Sequence, residues 1–226
     1  MRELVAAVRA ALEAAGDPAR AVGQQAYMKS AMPFRGVRRP EVRRLCRPLF
    51  DAHPLPDRTA WESAVRTLWD GAGFREERYA ATDLTGHRRY REYQDVAALP
   101  LYEHMVVTGA WWDHVDEIAS DRVGPVLRAA PGEVGPLLRR WSVDGDIWQR
   151  RTAILSQLGS TTRTDVALLA DCIVANLDHP DFFVRKAIGW ALRQYARTDP
   201  GWVRAFVATH GERMSGLSRR EATRRL

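Results

Sequence analysis

Two stretches decide the fold: IWQRRTAILSQL at 147–158 and FFVRKAIGWALRQY at 182–195. Each carries a basic residue followed by a small-and-apolar run at helical spacing, and Arg151 and Lys186 fall 35 residues apart. A fainter copy, FREERYAATDL, lies at 74–84, and stepping back 35 residues from Arg151 lands on Asp116, in the segment that begins WWDHVDEIA. Self-similarity at a period of a few tens of residues marks a repeat architecture. One helix pair cannot bury its own apolar face, so each unit has to stack on its neighbour. The reading is an all-α protein, an α-solenoid with a concave face, spanning residues 1–226 as a single domain.

Outward from these stretches, helical periodicity recurs with breaks at Pro and Gly, and no segment alternates as a strand does. The pattern predicts helices over 2–15, 18–31, 40–52, 58–71, 75–86, 91–107, 112–129, 132–143, 147–158, 164–177, 182–197 and 200–213. Asp146 and Asp181 precede apolar-periodic runs, where a carboxylate caps free amides and complements the helix dipole.

In a solenoid, equivalent positions of successive repeats line up, so Asp116, Arg151 and Lys186 are expected side by side. Trp112 stands one helical turn before Asp116 and Trp190 one turn after Lys186, which puts both indoles on the same face. Two tryptophans, one carboxylate and two cations then line one groove. On spacing alone the other reading stays open: core tryptophans and a solvated charged face. His114 points away from the Trp112 and Asp116 stripe and reads as a surface histidine.

Composition bounds the function. The 226 residues include 46% hydrophobic and 27% charged side chains, an ordinary soluble balance. No apolar run is long enough to span a bilayer. The start, MRELVAAVRAALEAAG, is amphipathic rather than a signal peptide, so a cytoplasmic protein is expected. The net charge of +6 points to an anionic partner. All but two of the 34 basic residues are arginine, the exceptions being Lys29 and Lys186. Arginine offers a planar fork for phosphate, although a GC-rich genome gives the same bias. Cys46 and Cys172 are far apart, without CxxC spacing, and read as reduced structural thiols with no zinc site. No phosphate-binding GxxxxGK[ST] loop, HExxH motif or zinc-deaminase signature occurs, and no metal or cofactor is expected.

The stretches QQAYMKS (24–30), GAWWDHVDEIA (109–119), WQRRTAILSQL (148–158), VRKAIGWALRQY (184–195) and LSRREA (217–222) together resemble, in order, the AlkD family of DNA alkylation-repair glycosylases. The resemblance implies a HEAT-like fold around duplex DNA. It implies a Tyr, two Trp and an Asp about the lesion nucleotide, and an Arg near the backbone. Those roles fall on Tyr27, Trp112, Trp190, Asp116 and Arg151. Arg150 adjoins Arg151, and the 35-residue alignment favours Arg151; Lys186 adds a second backbone contact.

The implied chemistry suits these groups. A purine alkylated at N3 or N7 is cationic and leaves without a general acid, so the enzyme has to stabilise the oxocarbenium-like sugar. A carboxylate about 4 Å away, at an effective dielectric near 20, contributes on the order of 4 kcal/mol. Asp116 is the candidate, either as charge stabiliser or as the group that orients water. Indole faces favour a nearby cation. A lyase would need an amine nucleophile, and two lysines make a monofunctional enzyme the better reading. The resemblance also implies chemistry on a base that stays stacked, with small methyl lesions and bulky natural-product adducts both open as substrates, the latter in self-resistance. The partner is duplex DNA containing alkylated purines, and the chain is read as a monomer. The alternatives are a non-catalytic HEAT-like module that binds damaged or branched DNA, and a protein-interaction scaffold.

Overall fold

The structure, a computed structural model, describes residues 1–224 and 226. Its regular elements are helical, and no strand occurs among the described residues. The chain divides into two compact units, Met1–Gln94 and Asp95–Leu226.

The first unit holds α1 (Arg2–Ala14), α2 (Pro18–Met28), α3 (Arg39–Ala52), α4 (Arg58–Asp70) and α5 (Arg75–Thr85), and ends in a 3-10 turn over Arg88–Tyr93. In α1, Leu4, Val5, Val8 and Leu12 form the buried stripe that its three-and-four spacing requires. They join Phe50 of α3 and Trp61, Leu68 and Trp69 of α4 in a core that excludes water. The loop between α2 and α3 is held by a single buried carboxylate: Glu76 accepts the amides of Arg35, Gly36 and Val37 at 2.9–3.1 Å. Gly36 is the residue that permits this loop, with φ at +90° and the Asp17 carbonyl oxygen 2.0 Å from where a Cβ would stand.

The second unit holds α6 (Leu99–Gly109), α7 (Trp112–Ile118), α8 (Gly124–Ala129), α9 (Pro131–Trp141), α10 (Ile147–Leu155), α11 (Val166–Val174), α12 (Phe182–Tyr195), α13 (Pro200–His210) and α14 (Gly216–Thr223). Helices α7, α10, α12 and α14 pack each on the next, and α6, α9, α11 and α13 back them as a second layer. Equivalent local devices recur at the same offset. Asp146 caps α10 by accepting the amides of Trp148 and Gln149, and Asp181 caps α12 by accepting those of Phe183 and Val184. Arg150 Nε donates to the Asp144 carbonyl, and Arg185 Nε to the His179 carbonyl, each six residues back. This is an all-α helical repeat fold.

Three expectations need correction. The helix placed at 91–107 begins at Leu99 instead, after two 3-10 turns, because Pro100 fits the first turn of a helix and breaks its interior. Helix α14 was not anticipated: GLSRREAT offers little apolar periodicity, and the helix is held by its Ser215 cap and by packing on α12. The stretch 112–129 is continuous as expected, but a π-helical turn over Ala119–Val123 separates α7 from α8. Beyond that turn Gly124 meets α10 closely, with the Ser156 carbonyl oxygen 2.4 Å from where a Cβ would stand.

Candidate active site

The 35-residue offset becomes contact geometry in the second unit. Arg151 of α10 donates from Nε to Asp116 Oδ1 at 2.7 Å and from Nη2 to Oδ2 at 2.9 Å, a two-pronged clamp on the carboxylate of α7. Lys186 of α12 donates to Glu221 of α14 at 2.9 Å, again 35 residues on. A constant offset across neighbouring helices means that α7, α10, α12 and α14 run in the same direction and in register. The row therefore reads Asp116, Arg151, Lys186, Glu221, with the two cations in the middle and a carboxylate at each end.

Arg151 is committed to this scaffold. Its side chain is 4% exposed, against 16% for Asp116. Its Nη1 donates to the Phe183 carbonyl of α12, so one guanidinium fastens α7, α10 and α12 together. Beneath it lies an aromatic bed: Phe183 sits 4.9 Å from Trp148 and 5.2 Å from Trp111 between ring centroids, and the guanidinium carbon is 6.0 Å from the Phe183 ring. Burial pushes the Asp116 carboxyl above the ordinary aspartate value. The Arg151 hydrogen bonds and charge pull it back down, and Asp113 adds a smaller upward push. Removing the guanidinium would leave burial unopposed.

The other predicted residues are distributed as follows. Trp112, at the first position of α7, and Trp190 on α12 are half-buried, each with part of its surface open to solvent. Lys186 keeps 37% of its side chain exposed, and only one of its three N–H donors is engaged by Glu221. Glu221 also binds Arg193, so it grips α12 four residues before and three after Trp190. The hydrogen bond from Lys186, followed by the charges of Arg193 and Lys186, holds the Glu221 carboxyl below its usual value against burial. This grip needs Gly189, where a Cβ would stand 2.4 Å from that of Glu221. Tyr27 belongs to the first unit, in the last turn of α2, and is 75% exposed. His114 is not on the surface: it is 1% exposed. Two residues along a helix from Asp116 is the opposite face, and that face packs on α6 rather than on solvent.

Sequence reasoning missed Glu221 and the bed of Trp111, Trp148 and Phe183. The same signal would have found Glu221 and the Trp148–Phe183 pair, because 186 and 221, like 148 and 183, differ by 35, whereas Trp111 stands 37 residues before Trp148 and falls outside that offset. Among the described residues no cluster of three His, Cys, Asp or Glu side chains has the arrangement of a metal site. No helix is long and apolar enough to cross a membrane. The arrangement offers a fixed, largely desolvated negative edge with indoles on the same helical faces, which favours a positive charge held nearby.

Fold and site together define a helical repeat protein in which a buried arginine clamps the Asp116 carboxylate between neighbouring helices. Comparison with known proteins agrees on that class. The family model for DNA alkylation repair enzymes matches residues 8–226, and the chain belongs to that family. Among solved structures it is similar to a "Predicted DNA alkylation repair enzyme from Enterococcus faecalis", with 28% identity, a TM-score of 0.80, and coverage of 93% of this chain and 96% of that one. No curated protein matches it. Family membership supports a role in DNA repair.

Proposed function

We propose that the chain is a monofunctional DNA glycosylase, of HEAT-like architecture, that hydrolyses the N-glycosidic bond of cationic N3- or N7-alkylated purines in duplex DNA. The observation that carries this reading is the clamp on Asp116. A carboxylate fixed by two hydrogen bonds, with 16% of its side chain still exposed, needs no reorganisation as positive charge develops on the deoxyribose. Trp112 and Trp190 shield that charge from water and add cation–π attraction of about 0.5–2 kcal/mol each. Tyr27, an aromatic ring left in solvent, supplies a further face for the nucleic acid.

Arg151 acts first through Asp116, which it orients and keeps ionised. Three of its five N–H groups are used within the protein, so a backbone phosphate meets only its edge, and Lys186 is the better placed of the two for that contact. The lesion base stays stacked while sugar and phosphate are engaged, so bulky cationic adducts are accepted alongside methylated purines.

Substrate choice then follows lesion charge. Base release from duplexes carrying 7-methylguanine, a bulky N3-adenine adduct or uracil is the test. Release of both cationic lesions with uracil left in place is expected, since a neutral base needs a proton donor to leave. Efficient uracil excision would falsify the reading.

A further inference from the structure

Three arginines crowd the 3-10 turn that closes the first unit. Arg88, Arg89 and Arg91 are exposed, while Tyr90 between them is 2% exposed. The alternation comes from how the turn is anchored. The Tyr90 hydroxyl accepts the Leu55 amide at 3.0 Å and its ring stacks on Tyr93. Gln94 donates to the His87 carbonyl at 3.0 Å, and Arg58 to the Tyr93 carbonyl at 3.1 Å. With the backbone fixed, the guanidinium groups are presented without the ordering cost that a mobile loop incurs on binding.

The three arginines and Asp51 line one shallow hollow. Asp51 is its single carboxylate, 3.2 Å from Arg88, 3.9 Å from Arg89 and 3.7 Å from His87. The Arg91 guanidinium has no partner among the described residues. His87 is buried against Phe50, and neither ring nitrogen has a hydrogen-bond partner among the described residues. Burial holds its pKa below the ordinary value, as do the charges of Arg88, Arg47 and Arg89 against the opposing pull of Asp51. The imidazole is neutral at pH 7, and the surplus positive charge resides on arginine. Arginine forks on an anchored backbone, in excess of their one counter-ion, suit phosphate oxygens.

We infer that Arg88, Arg89 and Arg91 form a second contact to the phosphate backbone of duplex DNA, one that gives affinity independent of lesion and sequence. This rests on the reading that duplex DNA is the substrate. Phosphate contacts position the duplex and carry no base information, so the lesion-free duplex is the proper probe.

Fluorescence anisotropy across a salt series compares three proteins. These are the full chain, its Arg88→Gln/Arg89→Gln/Arg91→Gln variant, and a charge-matched Arg2→Gln/Arg140→Gln/Arg204→Gln control at exposed positions of α1, α9 and α13. At about 0.1 M salt the first variant is expected to bind roughly 10- to 100-fold more weakly, with a log–log salt slope shallower by about 2.7, since three neutralised phosphates contribute roughly 0.9 each. The control stays within about threefold with its slope unchanged, and thermal melting verifies that both variants fold. Equal slopes in all three proteins, or an equal loss in the control, overturn the inference. So does a variant that keeps its DNA affinity but loses self-association in sedimentation, which would assign the hollow to a second copy of the chain. If the full chain releases 7-methylguanine while the variant's slope is unchanged, only this inference falls. A full chain that binds no duplex removes both readings.

Discussion

Removing Arg151 from a protein that already lacks the Asp116 carboxylate should make it faster. A sugar cation forming about 4 Å from the carboxylate gains on the order of 4 kcal/mol at an effective dielectric of about 20. The guanidinium that clamps Asp116 lies roughly 4 Å further away and takes back about 2 kcal/mol of that. The pair as a unit is therefore worth about 2 kcal/mol, or roughly 30-fold in rate, and the carboxylate alone about 4 kcal/mol, or roughly a thousandfold. Asp116→Asn leaves a nearly buried guanidinium without its counter-charge and should slow release by about a thousandfold. Asp116→Asn/Arg151→Met removes both charges and should recover to within about 30-fold of the original rate. Stability should follow the same order, because an unpaired buried charge costs about 3–5 kcal/mol when its partner is removed alone. Single-turnover release of 7-methylguanine at saturating enzyme, with urea unfolding alongside, measures both. A double variant as slow as Asp116→Asn, or slower, would refute an electrostatic role for the pair.

The pH profile provides an independent check. Asp116 works ionised and burial raises its pKa, so the rate should fall as pH drops through a value above the ordinary 3.8. Arg151→Gln removes the opposing influence and should move that acid limb to higher pH; a limb that moves lower contradicts the clamp. Gly189→Ala brings a methyl against the Cβ of Glu221 and has to push α14 from α12, which should cost about 1–3 kcal/mol in thermal or urea unfolding. An unchanged midpoint would mean that α14 yields without loss.

Much of this was legible in the sequence because the repeat writes one message at a fixed interval. Asp116, Arg151 and Lys186 were found by counting, and the caps at Asp146 and Asp181 by their place before apolar runs. What counting could not supply was the direction of each charge. The phosphate fork expected of Arg151 is turned inward on Asp116 and Phe183, and only tertiary packing decides that. His114 was misread because a helix in a two-layer array has no free back face. Helix α14 escaped because its stability comes from contact with α12 and not from its own pattern, so Glu221 went with it.

The π-helical turn at Ala119–Val123 sets a constraint on length in this part of the chain. Asp116 and Gly124, on either side of it, both approach α10, through Arg151 and the Ser156 carbonyl. Eight α-helical steps of about 100° leave two residues some 80° apart around the axis, whereas seven leave them about 20° apart. A π turn absorbs one extra residue, so it brings both positions back to one side. Deleting Ser120 or Asp121 would restore an unbroken α-helix without disturbing the phase between the two contacts. Inserting a residue there would swing one of them off α10 by about 100°. Homologues one residue shorter in this turn can thus keep the clamp on the carboxylate, while those one residue longer have to give up either the clamp or the close approach at Gly124.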